Sequence, residues 1–177
     1  MRVTLDHNCI IHMVNRTDLG CKVKTIVRDE RNQCFVVNIG ASEMREQGVR
    51  PDQYEKFEEL LEKAGIAHLP RLHPLMISDV TFWDRCLWAS DEMVRLSDAI
   101  RDALFGNSPS VDIATVGLDS PAGKKWLNQV CDVQGMWCHI QNGNEVFLTT
   151  DSNFTKETKL PKLIALGAGR ICHPCDL

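Results

Sequence analysis

The sequence predicts an α/β fold: one domain over residues 1–177, in three layers (α/β/α) around a largely parallel central sheet. Three observations predict it. Short runs of strand character recur at residues 3–5, 33–39, 145–149 and 170–172. Stretches with helical spacing of apolar residues separate them, and parallel strands need such crossovers. Two of the runs deliver an acidic residue just past their carboxyl ends, where open α/β sheets place their ligands.

In chain order, residues 3–5 read as a central strand and 8–15 as a short helix carrying Cys9, Ile10, Ile11 and Val14, with Gly20 expected to end that unit. Residues 22–28 fit either class. Residues 33–39 are a strand by their β-branched content, with Gly40 as punctuation. Residues 51–64 are the clearest helix: Pro51 suits its first position, Tyr54, Phe57, Leu60, Leu61 and Ala64 share a face, and Gly65 terminates it. Pro70 and Pro74 mark a loop. Residues 79–104 are expected as one long helix or two, with Ser90 and Asp91 as the break and Gly106 as the stop. Residues 108–120 are loop-like. Ser120-Pro121 opens a helix that runs to Gln141, with a further start conceivable near Asp132. Residues 159–166 form a helix stopped by Gly167.

The chain is long enough for a real core, and its 44% apolar and 25% charged residues are those of an ordinary globular protein. No apolar run approaches the roughly 20 residues of a membrane span. Asp6, His7 and Asn8 interrupt any signal-peptide core, so a cytoplasmic, membrane-free protein is expected. The eight cysteines are scattered and several sit in apolar runs, where they serve as small hydrophobes. The net charge of −4 disfavours coating a nucleic acid by bulk electrostatics. A local strip of Lys156, Lys159, Lys162 and Arg170 would still suit a phosphate backbone, although a solvated helix face explains the same residues.

Four acidic positions carry the chemistry. Asp6 and Asp151 end strands, each followed two residues later by an asparagine, Asn8 and Asn153. Glu43 lies just after the second strand, and Asp132 breaks the apolar run Val130-Cys131-Asp132-Val133. In a parallel sheet such positions converge on one edge. Converging carboxylates repel, and burial raises their pKa values unless a cation answers them. Mg²⁺ takes oxygen ligands at about 2.0–2.1 Å, and a metal-activated water attacks phosphorus. Hydrolysis of a phosphodiester is the chemistry expected.

On these residues the chain resembles a PIN domain, the metal-dependent ribonuclease fold of many bacterial and archaeal toxins and of eukaryotic RNA-processing nucleases. Leu5-Asp6-His7-Asn8-Cys9-Ile10-Ile11 is similar to the family's opening strand and turn. Val36-Val37-Asn38-Ile39-Gly40-Ala41-Ser42-Glu43-Met44 resembles the second strand and the helix that carries a Glu. Asp132-Val133-Gln134-Gly135 stands where the family has an Asp opening a small-residue helix, and Thr149-Thr150-Asp151-Ser152-Asn153-Phe154 resembles its Thr-x-Asp-x-x-Phe segment. The ending Leu166-Gly167-Ala168-Gly169-Arg170-Ile171 fits its last helix and strand. The resemblance implies that Asp6, Glu43, Asp132 and Asp151 hold Mg²⁺ or Mn²⁺ and that RNA is the substrate. Asn8 would tie down the first turn, and Thr150 and Asn153 would orient Asp151 or a phosphate. A homodimer and an antitoxin or other regulatory protein are partners of the kind it implies. Two departures stand out: an enlarged central segment, about 66–120, and Gln134, Met136 and Trp137 where small residues are usual.

Other readings fit the residues less well. A haloacid-dehalogenase-type phosphatase needs a second Asp where Asn8 stands. Cys172-His173-Pro174-Cys175 has a zinc-ligand spacing but lacks a second pair. Cys9 fits a core thiol better than a nucleophile, and Trp83, Trp88, Trp126 and Trp137 fit a core better than base stacking. The second hypothesis from a different class is a catalytically inactive PIN-like scaffold, presenting the central segment to a protein or RNA partner.

Overall fold

The computed structural model describes residues 1–50, 53–106 and 111–177. The chain runs β1 (Arg2–Leu5), α1 (His7–Val14), α2 (Asp18–Arg28), β2 (Gln33–Val37), α3 (Gly40–Glu43) with a 3₁₀ turn (Met44–Gln47), α4 (Glu55–Ala64) and β3 (Arg71–Leu72). It continues through a 3₁₀ turn (Trp83–Arg85), α5 (Asp91–Phe105), α6 (Ile113–Val116), α7 (Pro121–Gln141), β4 (Val146–Leu148), α8 (Leu160–Ala165) and β5 (Arg170–Cys172).

The strands form one sheet in the order β3-β2-β1-β4-β5, parallel throughout. Strand periodicity splits the core into two layers, because successive side chains point to opposite faces. Val3, Leu5, Cys34, Val36, Val146, Leu148 and Cys172 pack on one face with Ile10, Met13, Val23, Phe57 and Leu61 of α1, α2 and α4. Phe35, Val37, Phe147 and Ile171 face the other way, against Ile100, Leu104, Leu127, Met136, Trp137 and Leu163 of α5, α7 and α8. The three-layer α/β/α arrangement follows. No helix among the described residues is long and apolar enough to cross a membrane.

From β1 the chain steps outward through β2 to β3, then returns to place β4 on the other side of β1. The β1/β4 pair is therefore the topological switch point, where the loops beyond the strand ends part and leave a crevice. Asp6 directly follows β1, and Asp151 comes three residues after the end of β4.

Several local expectations are corrected. Gly20 does not end a unit; it lies inside α2, where a Cβ would stand 2.1 Å from the His12 carbonyl oxygen, so glycine lets α2 close onto α1. A two-residue edge strand, β3, interrupts the loop between Pro70 and Pro74. Residues 79–89 are not α-helical. Backbone pairing across a distance replaces the helix there: Met76 N–H donates to the Leu87 carbonyl and Leu87 N–H to that of Pro74, both at 2.8 Å. The α-helix begins at Asp91, with Ser90 capping it by accepting from the Met93 N–H. Trp83 and Trp88 are 74% and 72% exposed, while Trp137 is buried as expected. The helix expected from Pro51 is described from Glu55 onward; Pro51 itself lies outside the described residues, as do 108–110 of the expected loop.

Candidate functional site

Asp6 caps α1, and its carboxylate is held from several sides. Oδ1 accepts from the His7 N–H at 2.8 Å. Oδ2 accepts from Thr149 Oγ1 at 2.6 Å and from Asn8 Nδ2 at 3.4 Å. The same Thr149 Oγ1 accepts the Asp151 N–H at 3.0 Å, so one buried hydroxyl ties the two strand-end acids together. Asp151 Oδ1 accepts the Asn153 N–H at 2.7 Å, an Asx-type turn that fixes its carboxylate.

Glu43 is the last residue of α3, a single turn seated directly after β2. Asp132 comes from α7. It does not open a helix: Ser120 caps α7 by accepting the Gly123 N–H at 3.0 Å, and the helix runs unbroken to Gln141. Asp132 projects from mid-helix, with Val133 to His139 buried beyond it. Glu43, Asp132 and Asp151 line one cleft of about 350 Å³, together with His7, Asn8 and Asn128. A smaller cavity shares His7 and Glu43 with that cleft and is lined also by Asp6, Gly40 and Gly135. Residues far apart in sequence are thus brought to one place.

Electrostatics mark the same place. Burial, opposed by the bonds from Thr149 and His7 and reinforced by the Asp151 charge, raises Asp6 to about 6. Burial with the charges of Asp6 and Asp151 raises Asp132 to about 7, against a lowering pull from Lys159. Carboxylates held near neutrality are what like charges sharing a poorly solvated site produce. His7, buried in the wall, is lowered by that burial to about 4 and is neutral at pH 7.

The basic candidates divide. Lys156 and Lys159 both donate to Asn153 Oδ1, Lys156 at 3.4 Å, which places them beside Asp151, and Lys159 also lies over the Phe105 ring. Lys162 is exposed further along α8. Arg170 opens β5 and pairs in register with Val146, so it stands at the opposite, amino-terminal rim of the sheet and does not join the site. The orienting role expected of Thr150 falls to Thr149. Thr149 is the threonine of the Thr-x-Asp-x-x-Phe pattern, and strand parity turns it inward beside Phe147 while Thr150 is half buried; His7 has no such signal in the sequence.

The donor set of four carboxylates is the chemistry that Mg²⁺ and Mn²⁺ take. It is open, however: among the described residues no group of three or more His, Cys, Asp or Glu is gathered tightly enough to hold an ion. Cys172 is buried and Cys175 exposed, and Lys22 Nζ lies 3.2 Å from Cys175 Sγ. No protein-family model, curated protein or solved structure matches the chain.

Proposed function

We propose that this protein is a divalent-metal-dependent ribonuclease of PIN-like type that hydrolyses RNA phosphodiester bonds at the carboxylate cleft. The observation that supports it is a cleft lined by Glu43, Asp132 and Asp151 beside a smaller cavity lined by Asp6 and Glu43, with Asp6 and Asp132 pushed up to about 6 and about 7. In this reading those four residues hold one or two Mg²⁺ or Mn²⁺ ions. A divalent ion, when bound, supplies a Lewis acid that activates water and neutralises charge developing on phosphate.

The chain's own residues do the rest. Thr149 and the His7 N–H keep Asp6 in place, and the Asn153 N–H keeps Asp151 in place. Lys156 and Lys159 flank Asp151 and offer positive charge to the RNA backbone. Asp6 and Asp132 must give up their protons when a cation binds, so metal affinity rises with pH through about 6 to 7. The test is Mn²⁺-dependent cleavage of RNA by Asp6→Asn. The reading expects activity to vanish with the fold intact; cleavage at the wild-type rate rejects it.

A second reading keeps the architecture as an interaction module without catalysis. It is favoured by the exposed pair Trp83 and Trp88, whose ring centroids lie 5.8 Å apart, and by the open spacing of the carboxylates. A wild-type chain that binds no Mn²⁺ and cleaves no RNA would favour it.

A further inference from the structure

His7 is a residue of the cleft wall whose side chain the proposed function leaves unused. Its side chain is 8% exposed, packed 6.1 Å from the Phe57 ring, and its Nδ1 has no hydrogen-bond partner in the protein. A buried ring nitrogen without a partner is costly, and native structures supply one, often an ordered water. Nδ1 faces Gly40, where an added Cβ would stand only 2.7 Å away. Gly40 and His7 line the same small cavity, of about 10 Å³, with Asp6 and Glu43. That is about the room of one water, which needs at least two polar partners.

We propose that His7 is a positioning residue: its Nδ1–H donates to a single internal water, which donates in turn to the Glu43 carboxylate and holds it toward the cleft. The assignment rests on the ribonuclease reading for its purpose, though not for its geometry. It gives His7 the part that outer-shell partners play at metal sites, where their loss costs about 10–100-fold in metal affinity or activity. Glycine at position 40 lets the His7 and Phe57 rings pack against the α3 backbone: an added methyl would stand 2.7 Å from His7 Nδ1 and 3.1 Å from the Phe57 ring.

Three measurements on the full chain test this. A metal-free crystal showing ordered solvent should place a water within hydrogen-bond reach of both His7 Nδ1 and a Glu43 oxygen. Titration with Mn²⁺ should show His7→Leu weakened about tenfold or more, and His7→Asn within about threefold of wild type because its amide nitrogen stands where Nδ1 does and reaches the same water. Nitrogen NMR should show the ring proton on Nδ1. A crystal with a protein atom bonded to Nδ1, or with no water there, overturns the inference, as does equal loss in His7→Asn and His7→Leu, which would indicate packing. Were His7→Leu to misfold, the crystal and the NMR measurement on the wild-type chain would still decide. Failure of the ribonuclease reading is separate: it would appear as wild type indifferent to Mn²⁺, with the water still present or not.

Discussion

At the amino-terminal rim of the sheet, Arg2 is answered on every side. Its N–H donates to Glu145 Oε2 at 2.7 Å, Nε to Asn144 Oδ1 at 3.0 Å and Nη1 to Gln33 Oε1 at 3.3 Å, while the guanidinium lies 4.5 Å from the centre of the Phe35 ring. Just inside that rim, Thr4, His139 and Asn144 form a buried network: Thr4 Oγ1 meets His139 Nδ1 at 2.9 Å and accepts from Asn144 Nδ2 at 2.8 Å. At the carboxyl-terminal rim the same strands end in acids that crowd one another, and Asp6 and Asp132 hold their protons far above the usual carboxylate range. Around Arg2 and Thr4 the polar groups are matched, which serves stability. The other rim crowds acids whose charge Lys159 answers only in part, and the proposed function has a cation relieve the remainder.

The contrast can be broken in four ways. The largest effect is expected from Asp6→Asn, which should lower Mn²⁺-dependent RNA cleavage by about 100-fold or more, the several kcal/mol a Lewis acid contributes. Next comes Asp132→Asn. In the folded protein Asp132 keeps its proton to about 7, whereas in the unfolded chain it is lost near 3.8. The folded state therefore binds more protons between those values, and stability falls as pH rises across them. The asparagine variant should be more stable than wild type at pH 8 without divalent ions, by about 2 kcal/mol or roughly 4–8 °C in melting temperature, allowing for Asp132's partial exposure. The two proteins should converge near pH 4, and added Mg²⁺ should remove the advantage at pH 8. Thermal melts at the two pH values check this.

At the opposite rim the effect should reverse in kind. Arg2→Ala should cost about 1–2 kcal/mol of stability through lost bonds and packing, with Mn²⁺ affinity by titration unchanged. The smallest effect is expected from the lysines. Lys156→Ala should weaken RNA binding and reduce the slope of log affinity against log salt by about 1, whereas Arg170→Ala, at the amino-terminal rim, should leave that slope as it is.

What the sequence revealed follows the range of the forces involved. Helix α7 is found over the residues expected, because Ser120-Pro121 and Asn142-Gly143 are local signals at its two ends. Asp6 and Asp151 were legible because a strand followed by an acid is a local pattern. Asp132 was visible as a carboxylate in an apolar run, but the resemblance placed it at a helix start, whereas it lies inside the helix that the Ser120-Pro121 signal opens. Residues 79–89 have helical spacing, yet they pair with residues 74–76 over a distance no local pattern reports. Thr149 was legible as the threonine of the Thr-x-Asp pattern, but its choice over Thr150 rests on contacts with Asp6 and Asp151 made only in three dimensions, as does the place of His7 against Gly40. Arg170 was avoidable, since a residue that opens a parallel strand belongs to the rim away from residues that follow strands.

Crystals soaked in Mn²⁺, with the ion located by its anomalous scattering, test the central claim most directly. A peak among Asp6, Glu43, Asp132 and Asp151, lost in Asp6→Asn crystals, is the result expected. A cleft without a peak, or an ion bound only elsewhere on the molecule, would contradict it.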